Sequence, residues 1–453
     1  MKKYDVIVIG GGDVGTGVVF RALSSGAKVA LVEKGKIGGT CLNVGCVPSK
    51  TLIEAADAVM AVHAAQKLGV EAEIKTIHFS AIMERMRRTV KKGRESLEAA
   101  LRDSEDLDIY AGQAAFSGDL TVEVNGGERM TGEKIFIAAG ARPAIPPIKG
   151  IEKTGYLTNE TVLDLQDLPE RMAIIGGGYV GVEYAHFFSA MGTKVRLLQR
   201  GPRLVPNEEP EISDQLKAEL SKRMEVYTGV DVEEARQNGK GVAVRYKDAI
   251  GSKEVFCEKL FIATGRVSNA ESLRPDVTGV ELNESKFVLV NDYLETTRKN
   301  IWALGDVIGR QMFTHAGDRE AEIVWKNATA SEKEKMDFFA VPHAIFTHPQ
   351  IASVGLTEEA ARKGGDIRVG KARYADTVKG SAMMEETGLA KAILAKDTDR
   401  ILGFHIAGPE AAILIQEVAN ALAAGGDRSS ILRHMHIFPA LSDVVVEALG
   451  NAR

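Results

Sequence analysis

Cysteine is scarce in this 453-residue chain: thiols occur only at positions 41, 46 and 257. Three thiols make no disulfide framework, and a structural zinc site ordinarily closes with four thiolate or imidazole ligands. No metal site is therefore read from the sequence. Long apolar runs are also missing. Nothing reaches the roughly 18 to 20 residues that span a bilayer, and residues 1–5 lead almost directly into a strand pattern without a secretory signal. No membrane segment is expected, and a cytoplasmic location is the default. Charge of one sign is lacking too: 57 basic side chains face 62 acidic ones. That balance leaves no electrostatic footprint for nucleic acid or an anionic membrane.

What is present is a soluble, globular composition, 45% hydrophobic and 26% charged, in a chain too long for one core. Its first 35 residues read as a βαβ unit. The apolar run Val6-Ile7-Val8-Ile9 passes straight into Gly10-Gly11-Gly12-Asp13-Val14-Gly15 and a helical pattern, and a second strand ends at Glu33. Gly10, Gly12 and Gly15 give the G-x-G-x-x-G spacing: a tight turn, close approach of a pyrophosphate, and tight helix packing. Glu33 stands where a carboxylate accepts hydrogen bonds from a ribose. The unit recurs with Gly176, Gly178, Tyr179 and Gly181, but the acid position now holds Gln199, followed by Arg200 and Arg203. A carboxylate repels a 2′-phosphate and guanidinium groups bind it, so NADPH is expected in preference to NADH. Two dinucleotide sites in one chain suggest a resident flavin, FAD, beside an exchangeable nicotinamide.

Between the two units lies Gly38-Gly39-Thr40-Cys41-Leu42-Asn43-Val44-Gly45-Cys46-Val47-Pro48-Ser49-Lys50. Five-residue spacing by itself favours neither metal nor redox use. Thiols near a helix start and a cation are expected to have depressed pKa values, and Pro48 fits an early helical position. Cys257, in a strand-like run, reads as a core thiol.

The whole segment resembles the active-site signature of the pyridine nucleotide–disulfide oxidoreductases, of the dihydrolipoyl dehydrogenase and mercuric reductase kind. Residues 135–140, 261–266 and 301–306 resemble further motifs of that family in the same order. The resemblance implies an α/β fold with two Rossmann-like dinucleotide-binding domains and a C-terminal α+β dimerisation domain. The boundaries expected are 1–145 and 271–338 for FAD, 146–270 for NAD(P), and 341–453 for the interface of a homodimer.

It also implies roles for individual residues. Cys46 would be the charge-transfer thiol and Cys41 the interchange thiol. Lys50 and Glu183 would lie near the flavin, Tyr179 would gate the nicotinamide pocket, and Asp306 would hold the ribityl chain. Gly140, Gly265, Arg266 and Ala316 complete the cofactor-contacting set. Residues 389–396 and 401–406 read as strands around the turn 397–399, followed by a helix from about 409 to 424.

One departure stands out. Reductases of the family place a histidine before a C-terminal proline and an acid four residues after it. Here Phe438 precedes Pro439, and Asp443 occupies the acid position. Phenylalanine moves no proton, and a positioned general base is worth about 10²–10⁴-fold. His436 is a candidate substitute, roughly 6–7 Å away in an extended segment; a structural role is the competing reading. The expected activity is two-electron transfer between NAD(P)H and a small-molecule disulfide or dithiol through Cys41 and Cys46. Alternatives are a soft-metal acceptor, since Phe438 resembles mercuric reductases, and a redox-sensing or docking flavoprotein. The C-terminal cysteine pair usual in mercuric reductases is missing from this sequence.

Overall fold

The computed structural model describes residues 1–453. They form two compact units. One comprises Met1–Thr51, Glu84–Ala144 and Gly265–Phe338; the other comprises Leu52–Met83, Ile145–Thr264 and Phe339–Arg453.

The first unit is organised by a largely parallel sheet. Strand Lys2–Ile9 lies between Val29–Glu33 and Glu128–Ile137, with Leu107–Ala111 beyond the former and Ile301–Ala303 against the latter. Val6 to Ile9 are all buried, which is why this strand is a continuous apolar run instead of an alternating one. An antiparallel hairpin, Ala114–Gly118 with Thr121–Val124, extends the sheet. Helix Asp13–Ser24 follows the glycine turn and packs against helix Thr314–Thr329.

The second unit repeats the arrangement. Strands Glu225–Thr228, Lys194–Gln199, Arg171–Ile175 and Lys259–Ile262 form a parallel sheet in that order, and helix Tyr179–Ala190 follows the second glycine turn. A three-stranded antiparallel sheet ends at Cys257. That thiol is buried, donates to the Val242 carbonyl at 3.5 Å, and is pushed up to about 11 by burial. It is the core thiol expected.

The C-terminal part of this unit is a five-stranded antiparallel sheet, closed by helices Ala411–Ala423 and Asp443–Gly450 over one apolar core. Its hairpin, Leu389–Ala395 with Ile401–Ala407, matches the expected strands. The helix starts two residues later than expected, because Glu410 adopts a left-handed conformation (φ +58°) before it. Gly425 (φ +68°) ends it, its N–H bonding the Leu422 carbonyl at 2.9 Å. No helix of the chain is long and apolar enough to cross a membrane.

Candidate active site

The two glycine turns are built to one plan. Gly10 and Gly176 sit at φ +111° and +109°, where a side chain is strained. A Cβ on Gly15 would land on the Gly10 carbonyl, and one on Gly181 on the Gly176 carbonyl. In the first turn Glu33 Oε2 accepts from Gly11 N at 2.6 Å, and Oε1 from Gly35 N at 2.6 Å. In the second, Gln199 Oε1 takes the equivalent place, accepting from Gly177 N at 2.9 Å. The neutral amide preserves the turn without the negative charge. Arg200 is exposed beside it, and Arg203 forms an exposed ion pair with Asp214 at 3.7 Å.

Open space faces several of the expected cofactor positions. A Cβ on Gly140, Gly178 or Gly265 would meet nothing within 4 Å. Gly140 and Gly265 also have positive φ, so the chain keeps clear, strained glycines where a dinucleotide would pass. Asp306 is held by Arg266 Nη2 at 3.2 Å, and the same guanidinium donates to the Ala141 carbonyl at 2.7 Å. Burial raises the Asp306 carboxyl, with Arg266 opposing it. The Arg266 Nε is buried without a partner. Ala316 is buried in the first turn of helix Thr314–Thr329, where backbone N–H groups lack intrahelical acceptors. These features fit an FAD in the first unit and a nicotinamide dinucleotide in the second.

The thiols lie on two successive helices, Gly39–Val44 and Cys46–Ala65. Gly45 makes the corner; a Cβ there would come within 2.8 Å of the Thr40 carbonyl. Buried Asn43 pins the loop, donating to the carbonyls of Ile37 (2.9 Å) and Gly39 (3.0 Å) and accepting from Arg94 at 3.1 Å. Pro48 is the third residue of its helix, where no intrahelical donor is lost.

Neither sulfur is in a disulfide; Cys46 is exposed and Cys41 half-buried. The expected depression of the thiol pKa is not found at Cys41. Its hydrogen bond with Cys46 and then burial push it well up, with Thr314 acting in the opposite sense. Thr314 Oγ1 also lies 3.5 Å from Cys46 Sγ. The sequence reading missed Thr314; its position at the start of the helix after the Asp306 segment was the available signal.

Lys50 is half-buried on the cysteine helix and belongs to the first unit. Glu183 belongs to the second, buried in helix Tyr179–Ala190, where Oε1 accepts from Phe346 N at 3.0 Å. The Tyr179 hydroxyl donates to Glu208 Oε1 at 2.7 Å, a partner the sequence reading did not single out. In the C-terminal segment Phe438 is 72% exposed, with Met435 and Ile437 exposed beside it. His436 Nε2 lies 3.3 Å from Glu417 Oε2, and Nδ1 lies 3.1 Å from the His434 carbonyl. Asp443 starts the last helix, and its Oδ2 is buried without a hydrogen bond. No group of three or more His, Cys, Asp or Glu side chains is arranged to hold a metal ion.

Two Rossmann-type turns and a closely spaced cysteine pair in one chain define a flavin- and nicotinamide-dependent oxidoreductase. Residues 4–321 match the family described as pyridine nucleotide-disulphide oxidoreductase, and residues 341–449 match its dimerisation domain. The chain belongs to this family of FAD-dependent enzymes, which exchange electrons with NAD(P)H. Mycothione reductase of Mycobacterium tuberculosis is 34% identical over the whole of both chains. Mercuric reductase of Lysinibacillus sphaericus is 34% identical over 93% of this chain and 78% of its own. Dihydrolipoyl dehydrogenase of Synechocystis is 33% identical over 99% and 98%. The Cu(II) complex of the HOCl-induced flavoprotein disulfide reductase RclA from Escherichia coli superposes with a TM-score of 0.89. Its identity is 30%, and the match covers 99% of each chain.

Proposed function

We propose that this enzyme takes two electrons from NADPH and delivers them through Cys41 and Cys46 to a soft, thiol-seeking metal ion. In this reading residues 1–145 and 271–338 hold FAD, 146–270 hold NADPH, and 341–453 form the interface of a homodimer. Bound FAD supplies the hydride-accepting and electron-relaying chemistry. The chain's own residues supply the rest. Gly10, Gly12 and Gly15 admit the flavin's pyrophosphate, Glu33 its ribose, and Asp306 its ribityl chain. Gly140 and Ala316 line the same path. Gly176, Gly178 and Gly181 admit the nicotinamide dinucleotide, and Gly265 and Arg266 are further cofactor-contacting positions. Gln199 and Arg200 tolerate and bind a 2′-phosphate, and Tyr179 covers the nicotinamide. Lys50 and Glu183 set the electrostatics near the flavin. Cys46 receives the electrons and Cys41 meets the acceptor.

The observation that carries the choice of acceptor is Phe438, exposed where a disulfide reductase has its histidine, while Asp443 keeps a buried oxygen with no partner. A disulfide acceptor needs protons for two leaving thiolates, and a general base to ready Cys41. A soft metal ion needs thiolate ligands and electrons. One NADPH reduces one Hg²⁺ to the metal, or two Cu²⁺ to Cu⁺, losing a hydride's two electrons and releasing one proton. The mercuric reductase relatives and the Cu(II) complex of the similar E. coli reductase support this class.

A second reading, reduction of a low-molecular-weight disulfide, is favoured by the full-length match to mycothione reductase and by the retained acid Asp443, with His436 as substitute base. Steady-state assays with Hg²⁺, Cu²⁺, lipoamide and glutathione disulfide, each with NADPH and with NADH, separate the two. Metal-dependent NADPH oxidation should exceed turnover on either disulfide by at least about tenfold, with NADPH favoured over NADH. Faster turnover on a disulfide would refute the metal reading, and a higher kcat/KM with NADH the nucleotide assignment.

A further inference from the structure

The Tyr179 hydroxyl does not end in solvent. Glu208 Oε1, its acceptor at 2.7 Å, also lies 2.7 Å from His343 Nε2, and the Tyr179 and His343 rings stack with centroids 5.6 Å apart and planes 19° from parallel. The other carboxylate oxygen accepts from Ser353 Oγ at 2.6 Å. All four residues belong to the second unit. The Glu208 side chain is completely buried. Burial alone would raise its pKa, but the bonds from His343, Ser353 and Tyr179 outweigh that and hold it down at about 2. Burial and the neighbouring carboxylate push the Tyr179 phenol up, so it stays a donor. The corner is fastened from behind as well. The adjacent Glu209 is 2.7 Å from buried Lys391 Nζ, which also pairs with Glu358 at 2.7 Å and Glu211 at 3.2 Å. A tyrosine that swings away must break its bond to Glu208, because the carboxylate cannot follow.

We infer that Glu208 is a latch: a positioning residue that holds Tyr179 in one closed rotamer, so that nucleotide binds only the molecules in which the Tyr179–Glu208 bond is broken. The inference rests on the reading of Tyr179 as the gate of the nicotinamide site, and it adds what keeps that gate shut. A hydrogen bond to a buried charge is among the stronger ones. The apparent dissociation constant rises as the open fraction falls, so the latch weakens nucleotide affinity on the order of tenfold. Its effect falls on binding, since the open state is the same once reached.

The test is rapid-mixing reduction of the FAD-loaded enzyme across an NADPH titration, for Glu208→Gln, Tyr179→Phe and the double variant, with thermal unfolding checked for each. Glu208→Gln should lower the apparent Kd about three- to tenfold, leaving the limiting rate much less affected. Tyr179→Phe should do the same, and the double variant should match Tyr179→Phe alone. An equal effect of Glu208→Gln in both backgrounds, an effect confined to the limiting rate, or no effect in a folded variant would overturn the latch. If Tyr179→Phe leaves nucleotide binding unchanged, the gate reading fails and the latch with it. If Tyr179→Phe tightens binding and Glu208→Gln does not, the latch alone fails. Should Glu208→Gln not fold, Ser353→Ala replaces it. Removing one of the three donors should give a smaller gain, about two- to threefold, that vanishes beside Tyr179→Phe; a gain that persists there overturns the proposal.

Discussion

Glu320 illustrates how much a single buried group governs. Its side chain lies in helix Thr314–Thr329 with no solvent exposure; Oε2 accepts from Gly305 N at 2.6 Å, and Oε1 has no partner. Burial pushes its carboxyl from 4.5 up to about 7, against the Gly305 hydrogen bond and with Asp306 adding to the rise. A folded-state pKa above the unfolded value gives stability that is fully present below about 4.5 and lost as pH rises through about 7. The loss is at most about 3 kcal/mol. Thermal unfolding of the wild type should therefore fall more steeply between pH 5 and 8 than that of Glu320→Gln. Parallel curves would show that Glu320 does not titrate in that window. The partners that matter at this scale, Glu320 with Gly305, Thr314 with Cys46 and Glu208 with Tyr179, are each separated by 15 or more positions. No local pattern reveals such pairs. The cysteine pair, by contrast, is legible because its spacing and flanking residues are local.

Among the elements, the two glycine turns carry the most information per residue. Strand, turn and helix follow one another within about 25 positions, so their periodicity and glycine spacing predict them directly, and both appear with matching geometry. That correspondence makes a selective test possible. Gly181→Ala drives a methyl group onto the Gly176 carbonyl and should weaken NADPH binding about 10- to 100-fold. Flavin content should stay normal. Gly15→Ala makes the same collision in the first turn, and should instead yield protein depleted of FAD. Absorbance of the purified variants, with nucleotide titrations of any that keep flavin, decides the matter; equal loss of both functions would argue against separate sites. The element boundary that departed from expectation, the start of helix Ala411–Ala423, was set by a left-handed Glu410. Left-handed conformations at non-glycine residues have no strong sequence signal.

For the molecule as a whole, the exposed large apolar side chains are scattered along the chain, and four of them, Ile413, Met435, Ile437 and Phe438, lie in the C-terminal segment. The segment containing them matches the family's dimerisation domain, and burial of such a group between two copies is the reading that gives it a purpose. Ile437→Asp should weaken the dimer by about two orders of magnitude or more, visible by sedimentation as monomer at low micromolar concentration. An unchanged dimer would place the interface elsewhere. The sequence by itself determined the two βαβ glycine turns, the close-set cysteine pair and the phenylalanine before Pro439, because each is written in contiguous residues whose spacing has a local physical meaning. Only the tertiary structure decided that the hydrogen bond with Cys46 and burial push the Cys41 thiol up, that one buried oxygen of Asp443 has no hydrogen bond, and that Tyr179 is tied to Glu208. Those outcomes depend on burial and on hydrogen bonds between distant residues, which exist only after the chain has folded.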